Sequence, residues 1–216
     1  MAKTYKTFGG YGVDVASNRS DDLDMLVIEH VSQEQTLSVL DLGSGAGGQS
    51  LRMAKAGAVV TAVDRFDFAT QFAGMREENC LSETQVKFIQ SDVLLWLRAA
   101  GNAGFYDYAL LQRVIHYFTY EQAVEILCRL KSITTGKLFI SVTGIESAVG
   151  ETYAGRDVSL SERFCVLEKS ERETFMILEP VCLYSEKEFQ SLLVDSGWNI
   201  EKFWTSAFGN SKAVCS

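Results

Sequence analysis

The stretch Val39-Leu-Asp-Leu-Gly-Ser-Gly-Ala-Gly-Gly-Gln-Ser50 decides how the rest of the sequence is interpreted. An apolar run typical of a buried strand ends at Leu42, four glycines follow within six residues, and a helical pattern resumes at Gln49. Glycine allows positive φ and lets a ligand approach the backbone, while free N–H groups at the start of a helix favour negative charge. The stretch therefore predicts a strand, a glycine turn and a helix that bind a ligand, with a simple tight turn as the alternative.

Strands and helices alternate along the sequence on both sides of this stretch. Apolar runs typical of buried strands alternate with helical patterns through five predicted strands. Such alternation predicts an α/β fold, Rossmann-like and doubly wound, with a mostly parallel sheet and helices on both faces. Outside the opening stretch, the predicted helices cover 20–32, 67–83, 94–100 and 120–132, and the predicted strands cover 58–64, 86–92, 106–112 and 136–143.

The regular pattern breaks after the fifth predicted strand. Two strand-like runs, 163–168 and 174–179, flank a charged turn and predict a β-hairpin that ends at Pro180. The whole insertion, 145–182, predicts a lid or a substrate-shaping element. A capped helix begins at Ser185, and the two strands after it are joined by so short a connection that they must be antiparallel. That helix is predicted to end at Gly197, and the two strands cover 199–207 and 212–215.

Composition limits the kind of protein that this chain can be. Its 216 residues and 47% hydrophobic content suit a single domain over 1–216, with an N-terminal cap and helix in 1–35. A net charge of −8 disfavours binding to a nucleic-acid backbone, and no segment approaches the ~18 apolar residues of a membrane span. The five cysteines form no CxxC pair and have no His neighbours at ligand spacing, which predicts reduced thiols in a cytoplasmic protein without a metal site.

The glycine spacing alone leaves two adenosine cofactors open. Gly43, Gly45 and Gly48 satisfy the G-x-G-x-x-G pattern, and Asp64 follows 21 residues after the first glycine at the end of a strand. An acid at that place can accept hydrogen bonds from ribose hydroxyls. On this evidence, an NAD(P)-dependent oxidoreductase is a real alternative.

Three further features favour S-adenosylmethionine over a dinucleotide. Asp41 lies two residues before the first glycine, where a carboxylate repels a pyrophosphate but attracts the ammonium and sulfonium charges of S-adenosylmethionine. Asp92 ends the third strand, where it can accept a hydrogen bond from the adenine amino group, with a helix N-cap as the alternative role. The third feature is the antiparallel pair of strands that closes the chain. These features together predict a cationic adenosyl cofactor.

With these residues, the sequence resembles the class I S-adenosylmethionine-dependent methyltransferases, clearly over 36–143 and more loosely over 183–216. The resemblance implies a seven-stranded sheet whose last strand is antiparallel to the others. It also implies that the loop Gly43-Ser44-Gly45-Ala46-Gly47 contacts the methionine part of the cofactor. The other cofactor-binding residues that it implies are Asp41 near the ammonium, Asp64 on the ribose with Arg65 beside it, Asp92 and Val93 at the adenine, and Gln112 near the methionine end.

The two histidines have different predicted roles. His30 lies on the apolar face of the first helix and is interpreted as structural. His116 follows the fourth strand, in the segment where the resemblance places the acceptor, and it is either a general base or a packing residue. Tyr117 beside it is the second candidate catalytic residue. An aromatic wall is predicted from Tyr5, Phe8, Tyr11, Tyr117 and Phe118, and a carboxylate-binding arginine from Arg19 or Arg113.

Composition also narrows the acceptor class. Pro180 is the only proline, so the chain has neither the Asn-Pro-Pro-Tyr loop of amino-methylating nucleic-acid enzymes nor the Pro-Cys nucleophile of cytosine-C5 enzymes. The remaining resemblance is to small methyltransferases of small molecules, including the tellurite-resistance-like branch. A non-catalytic S-adenosylmethionine-binding module is a further alternative. Neither the acceptor nor the oligomeric state follows from the sequence.

Overall fold

The computed structural model describes residues 6–7, 9–14, 20–34, 36–99 and 104–216. Within this part of the chain, no helix is long and apolar enough to cross a membrane. The α-helices are α1 (Asp22–Gln33), α2 (Gly48–Lys55), α3 (Ala69–Glu78), α4 (Val93–Ala99), α5 (Tyr120–Ile133), α6 (Lys169–Phe175) and α7 (Glu186–Asp195). The strands are β1 (Lys6–Thr7), β2 (Val13–Asp14), β3 (Ser38–Leu42), β4 (Val59–Asp64), β5 (Val86–Gln90), β6 (Tyr106–Gln112), β7 (Thr134–Thr143), β8 (Ile200–Thr205) and β9 (Asn210–Cys215).

Seven of the strands form one sheet in the order β5-β4-β3-β6-β7-β9-β8, and β1 and β2 form a separate pair. β3 lies inside the sheet and pairs in parallel with β4 and β6, so that Val39 lies opposite both Val60 and Tyr108. β8 and β9 are antiparallel. The predicted seven-stranded α/β sheet with an antiparallel last strand is therefore confirmed.

Capping explains where the first and last α-helices begin. At α1, the Asp24 N–H donates to Asp21 Oδ1 at 3.0 Å, and the Asp21 N–H donates to Asp24 Oδ2 at 2.8 Å. At α7, Ser185 and Glu188 form the same reciprocal pair. Each capping box satisfies N–H groups that have no partner within the helix. The predicted helix starts at Ser20-Asp-Asp and at Ser185 are confirmed within two residues.

The chain divides into two compact units, each with its own buried residues. The first unit comprises Asp14–Leu111 and Ser132–Phe139, and its core includes the buried residues of β3, β4 and β6. The second unit comprises Met1–Val13, Gln112–Lys131 and Ile140–Ser216. The single-domain interpretation stays a prediction.

The predicted β-hairpin in the insertion is wrong. The charged segment that was predicted to be its turn forms the helix α6 instead. In this helix, Lys169 Nζ lies 3.8 Å from Glu173 Oε1, at the i, i+4 spacing that brings side chains together on a helix. The apolar residues on either side serve as separate core anchors, because Leu167 and Ile177 both belong to a buried cluster with Tyr153 and Val181. Apolar residues that enter the core singly resemble the alternation of a strand, which explains the error.

The N-terminal arm, residues 9–12, contacts the insertion within the second unit. The Leu178 N–H donates to the Gly10 carbonyl at 2.6 Å, and the Gly12 N–H donates to the Met176 carbonyl at 2.9 Å. The predicted cap therefore covers part of the predicted lid. The predicted site residues Tyr5, Phe8 and Arg19 lie outside the described residues.

Candidate active site

The glycine loop, residues 43–47, leaves the end of β3 and turns against β4. The N–H groups of Gly43 and Ser44 donate to the Val63 carbonyl at 2.8 and 3.2 Å. Gly47 has φ +83°, and a Cβ added there would lie 2.6 Å from Cζ of Phe72. Only glycine fits this position, because both the backbone angle and the aromatic ring exclude a side chain. The loop is therefore packed tightly from the side of α3.

Asp64 links the end of β4 to the glycine loop. Its Oδ2 accepts a hydrogen bond from the Gly45 N–H at 2.9 Å, and its Oδ1 accepts one from the Phe66 N–H at 2.9 Å. A carboxylate has about four lone-pair sites and accepts hydrogen bonds from hydroxyl groups as well as from backbone N–H groups. This chemistry fits a ribose diol at the carboxyl edge of the parallel strands.

Asp41 is the most strongly perturbed acid of the loop region. It is 4% exposed, and the Ser50 hydroxyl donates to its Oδ2 at 2.5 Å. Burial, together with the nearby charges of Asp24 and Asp64, raises the pKa of Asp41 to about 7. A positive charge beside this carboxyl restores the ionised form, so the arrangement suits a cationic ligand.

Ser44 offers a second test of whether the loop is built for a ligand. Its hydroxyl oxygen is buried and has no hydrogen-bond partner among the described residues. A buried hydroxyl without a partner costs free energy, and a polar ligand group supplies the missing bond. The residues at the loop therefore fit a polar, positively charged cofactor.

Asp92 caps α4, as the alternative interpretation states. Its Oδ1 accepts hydrogen bonds from the Leu94 and Leu95 N–H groups at 2.9 and 3.1 Å. Capping does not decide whether Asp92 also binds adenine, which stays a prediction together with the role of the buried Val93. Arg65 is exposed, with its guanidinium carbon 5.9 Å from the Phe66 ring centroid.

β3, β4 and β5 are parallel neighbours, so their carboxyl ends lie at one edge of the sheet. The structure thus brings Asp41, the glycine loop, Asp64 and Asp92 to one edge of the first unit. Gln112 ends β6, whose Leu111 is registered with Leu42 of β3. The assignment of all these residues to a cofactor stays a prediction.

His116 lies in the histidine turn, residues 113–117, in the second unit. It is 1% exposed, and its Nδ1 accepts a hydrogen bond from the Thr143 N–H at 3.4 Å. Burial and the positive charge of Arg113 lower the pKa of His116 to about 3. With Nδ1 accepting, the neutral ring carries its proton on Nε2. Neither nitrogen is then available as a base, so this geometry favours the packing interpretation.

Tyr117 is also held in its protonated form. Its hydroxyl donates to the Tyr11 carbonyl at 2.9 Å, and burial raises the pKa of Tyr117 well above its ordinary value. The Tyr117 ring centroid lies 4.3 Å from that of His116 and 4.8 Å from that of Tyr11. Of the predicted aromatic wall, Tyr11 and Tyr117 pack against each other, and the wall itself stays a prediction. His30, interpreted as structural, packs against aromatic rings in the first unit.

The family model that matches this sequence is described as "Methyltransferase domain" and covers residues 33–169, more than half of the chain. The chain belongs to the methyltransferase domain family. This result confirms the resemblance to class I S-adenosylmethionine-dependent methyltransferases and removes the support for an NAD(P)-dependent oxidoreductase. No curated protein has significant sequence similarity to this methyltransferase.

Solved structures show the same fold. One similar structure is a 1,6-didemethyltoxoflavin-N1-methyltransferase from Burkholderia thailandensis, with 17% identity, a TM-score of 0.67, and coverage of 93% of this chain and 77% of that one. Another is the magnesium protoporphyrin IX methyltransferase of Synechocystis PCC 6803 with bound S-adenosylhomocysteine. It has 20% identity, a TM-score of 0.63, and coverage of 89% of this chain and 80% of that one. A methyltransferase from Clostridium acetobutylicum has 9% identity, a TM-score of 0.68, and coverage of 94% of both chains. At these identities, the likeness establishes the fold of the methyltransferase.

Several residues that hold the glycine loop or the histidine turn have no signature in the sequence. Ser50 bonds Asp41 from nine residues away, and Phe72 closes the glycine loop from α3. Ser141 holds the backbone of Arg113 from β7. Such partners become visible only when strands and helices are placed in space. Among the described residues, no group of three or more His, Cys, Asp or Glu side chains is placed to hold a metal ion.

Proposed function

We propose that this protein transfers a methyl group from S-adenosylmethionine to a small-molecule acceptor. The observation that carries the proposal is the acidic glycine loop, where the Asp64 carboxylate binds the loop backbone and the buried Asp41 carboxyl has a pKa of about 7. A pyrophosphate is repelled by two acids, whereas an ammonium and a sulfonium are attracted. Family membership supports the same reaction.

The chain's own residues supply binding and orientation. S-adenosylmethionine, when bound, would supply a methyl group on a sulfonium sulfur, which leaves when a nucleophile attacks the methyl carbon in line. Asp64 would hold the ribose hydroxyls and Asp92 with Val93 the adenine, while Asp41 and Gln112 would orient the methionine end. Fixing the donor in this way lowers the barrier mainly through orientation and exclusion of water, because the transition state disperses the positive charge.

A small molecule is the acceptor class that the other observations support. The net charge of −8 disfavours a nucleic acid, and the similar structures include enzymes named for a porphyrin and for a toxoflavin precursor. We propose a cytoplasmic location, supported by five free cysteines. The insertion over 145–182 is proposed to shape the acceptor site of a single-domain enzyme, since it carries its own buried cluster.

Titration calorimetry tests the proposal. S-adenosylmethionine and S-adenosylhomocysteine are expected to bind the wild-type protein, and Asp64→Ala is expected to weaken both about 10- to 150-fold, since bonds to a charged group contribute ~1.5–3 kcal/mol. Asp67→Ala is the matched control, because Asp67 is an exposed acid of the same loop. Thermal unfolding of the free proteins separates lost folding from lost binding. The proposal fails if neither nucleoside binds the wild-type protein.

Two further measurements test the alternative functions: the binding of NAD and the methylation of small-molecule acceptors. A thermal shift with NAD and none with S-adenosylhomocysteine would restore the oxidoreductase alternative. Binding of S-adenosylhomocysteine without methylation of any acceptor in a broad small-molecule screen would favour the non-catalytic binding module. Methylation detected by mass spectrometry in that screen is the expected result.

A further inference from the structure

Arg113 occupies a backbone conformation that is costly for its side chain. It has φ +56°, in the left-handed region where glycine and asparagine are favoured over bulky residues. Its N–H donates to the Ser141 carbonyl at 2.9 Å and lies 3.1 Å from the Ser141 hydroxyl, so the conformation is fixed by β7. Such conformations cluster at functional sites. Glycine would adopt this backbone angle at a lower free-energy cost than arginine. We therefore expect the arginine side chain to have a role of its own.

Among the described residues, the Arg113 side chain has no partner of opposite charge. Its Nε is buried without a hydrogen bond, and no carboxylate pairs with its guanidinium in the part of the chain that the structure describes. It lies close enough to His116 and Tyr117 for its charge to help lower the pKa of His116 and to oppose the rise that burial causes in the pKa of Tyr117. A half-buried guanidinium with an unused donor is costly unless an anion binds to it.

The neighbours of Arg113 indicate what kind of anion binds there. His116 is neutral, with its Nδ1 accepting a hydrogen bond from the Thr143 N–H, and Tyr117 keeps its proton. The histidine turn therefore offers a cation and no base. The turn has no group that takes a proton from an acceptor during methyl transfer, whereas an acceptor that arrives as an oxyanion needs only the cation.

We propose that Arg113 binds an oxyanion of the carboxylate or ionised phenol class at the histidine turn. The inference rests on the proposed function. In the acceptor, an oxyanion lone pair forms the new bond to the methyl carbon, the carbon–sulfur bond breaks, and its electron pair stays on sulfur as a neutral thioether. Methylation removes the negative charge, so the ester or ether that forms loses its attraction to Arg113. The carboxylate of the cofactor's amino acid is the other source of the same chemistry.

Calorimetry with three probes separates these two sources. The probes are S-adenosylhomocysteine, its decarboxylated analogue S-adenosyl-3-thiopropylamine, and benzoate titrated into protein saturated with S-adenosylhomocysteine. Benzoate is chosen because it presents a carboxylate on a ring that suits the rings of Tyr11 and Tyr117. The variants are Arg113→Gln, which removes the charge, and Arg113→Lys, which keeps it. Arg129→Gln is the matched control, because Arg129 of α5 pairs with Glu125 and lies outside the histidine turn.

An acceptor oxyanion predicts that Arg113→Gln weakens benzoate at least tenfold, with S-adenosylhomocysteine affinity unchanged within twofold. A cofactor carboxylate predicts a tenfold loss for S-adenosylhomocysteine and none for the decarboxylated analogue. In either case, Arg113→Lys retains part of the affinity and Arg129→Gln retains all of it. Should Arg113→Gln not fold, Arg113→Asn, which suits the left-handed conformation, carries the same test.

The proposal is overturned if Arg113→Gln and the wild type bind S-adenosylhomocysteine equally tightly and also do not differ in their binding of benzoate. That result includes the case in which neither protein binds benzoate. It is also overturned if Arg129→Gln has the same effects as Arg113→Gln. Failure of the wild-type protein to bind S-adenosylhomocysteine is a different result, because it removes the proposed methyl donor and with it the methyltransferase proposal.

Discussion

The glycine loop and the histidine turn are built from different kinds of interaction. At the glycine loop, backbone N–H groups, a glycine packed against Phe72 and acids at strand ends determine the geometry. At the histidine turn, the chemistry depends on the protonation of His116 and Tyr117, which burial decides. Spacing along a sequence indicates the first kind of site well, whereas protonation states become apparent only from the three-dimensional environment.

The largest expected effect comes from Gly47→Ala in the glycine loop. The new Cβ would lie 2.6 Å from the Phe72 ring on a backbone with φ +83°, so we expect a loss of about 2–4 kcal/mol in the free energy of unfolding. Gly57→Ala is the matched control, since Gly57 has φ +108° and no atom within 4 Å of the added Cβ. Urea unfolding of both variants isolates the clash from the backbone cost. Equal losses would show that Phe72 does not constrain the loop.

At the histidine turn, His116→Gln is expected to reduce the free energy of unfolding by about 2 kcal/mol, because it disturbs a buried, hydrogen-bonded ring. Since the pKa of His116 is about 3, its ring is expected to stay neutral between pH 5 and pH 8. NMR titration of the ring resonances tests this, and the variant assigns them against those of His30. Observation of an inflection near pH 6.5 that disappears in the variant would restore the general base.

The pKa of Asp41 predicts a pH-dependent cofactor affinity. If the cofactor's positive charge requires the ionised carboxylate, S-adenosylmethionine binding displaces a proton, and its affinity rises about tenfold from pH 6 to pH 8. Calorimetry in buffers of different ionisation enthalpy measures the proton released. Asp41→Asn removes this component while the ligand's own titration remains, so the variant is the internal control. A pH dependence identical in both proteins would contradict a role for Asp41 near the ammonium.

The same pKa has a consequence for the free protein. Because the pKa of Asp41 is raised from 3.8 to about 7, the folded state binds more protons than the unfolded state between these values. The stability contributed by Asp41 therefore falls as the pH rises through this window and is constant above it. Urea unfolding at pH 5 and pH 8 is expected to show this decrease in the wild-type protein and a smaller one in Asp41→Asn.

The sequence predicted the main features of the fold, while the roles of the predicted site residues stay predictions. The sheet and its antiparallel closing pair followed from alternation, because strand length, helix period and turn length are local properties. The β-hairpin prediction was wrong because nothing in the local sequence distinguishes single core residues such as Leu167 and Ile177 from the residues of a strand. At the candidate site, spacing indicates Asp41 and Asp64, whose contacts with a cofactor stay predictions, while the hydrogen bond at Nδ1 of His116 depends on the distant Thr143.

The smallest expected effect tests the link between the histidine turn and the N-terminal arm. Tyr117→Phe removes one hydrogen bond, to the Tyr11 carbonyl at 2.9 Å, and we expect a cost of about 1 kcal/mol. Amide hydrogen exchange of Gly12 and Leu178, which bond between the arm and the insertion, should become about fivefold faster. The Val181 amide, which bonds Cys165 in the same unit, is the internal control and should not change. Uniform acceleration of all three amides would mean that Tyr117 stabilises the whole second unit, whereas selective acceleration would show that a side chain of the histidine turn holds the arm against the insertion.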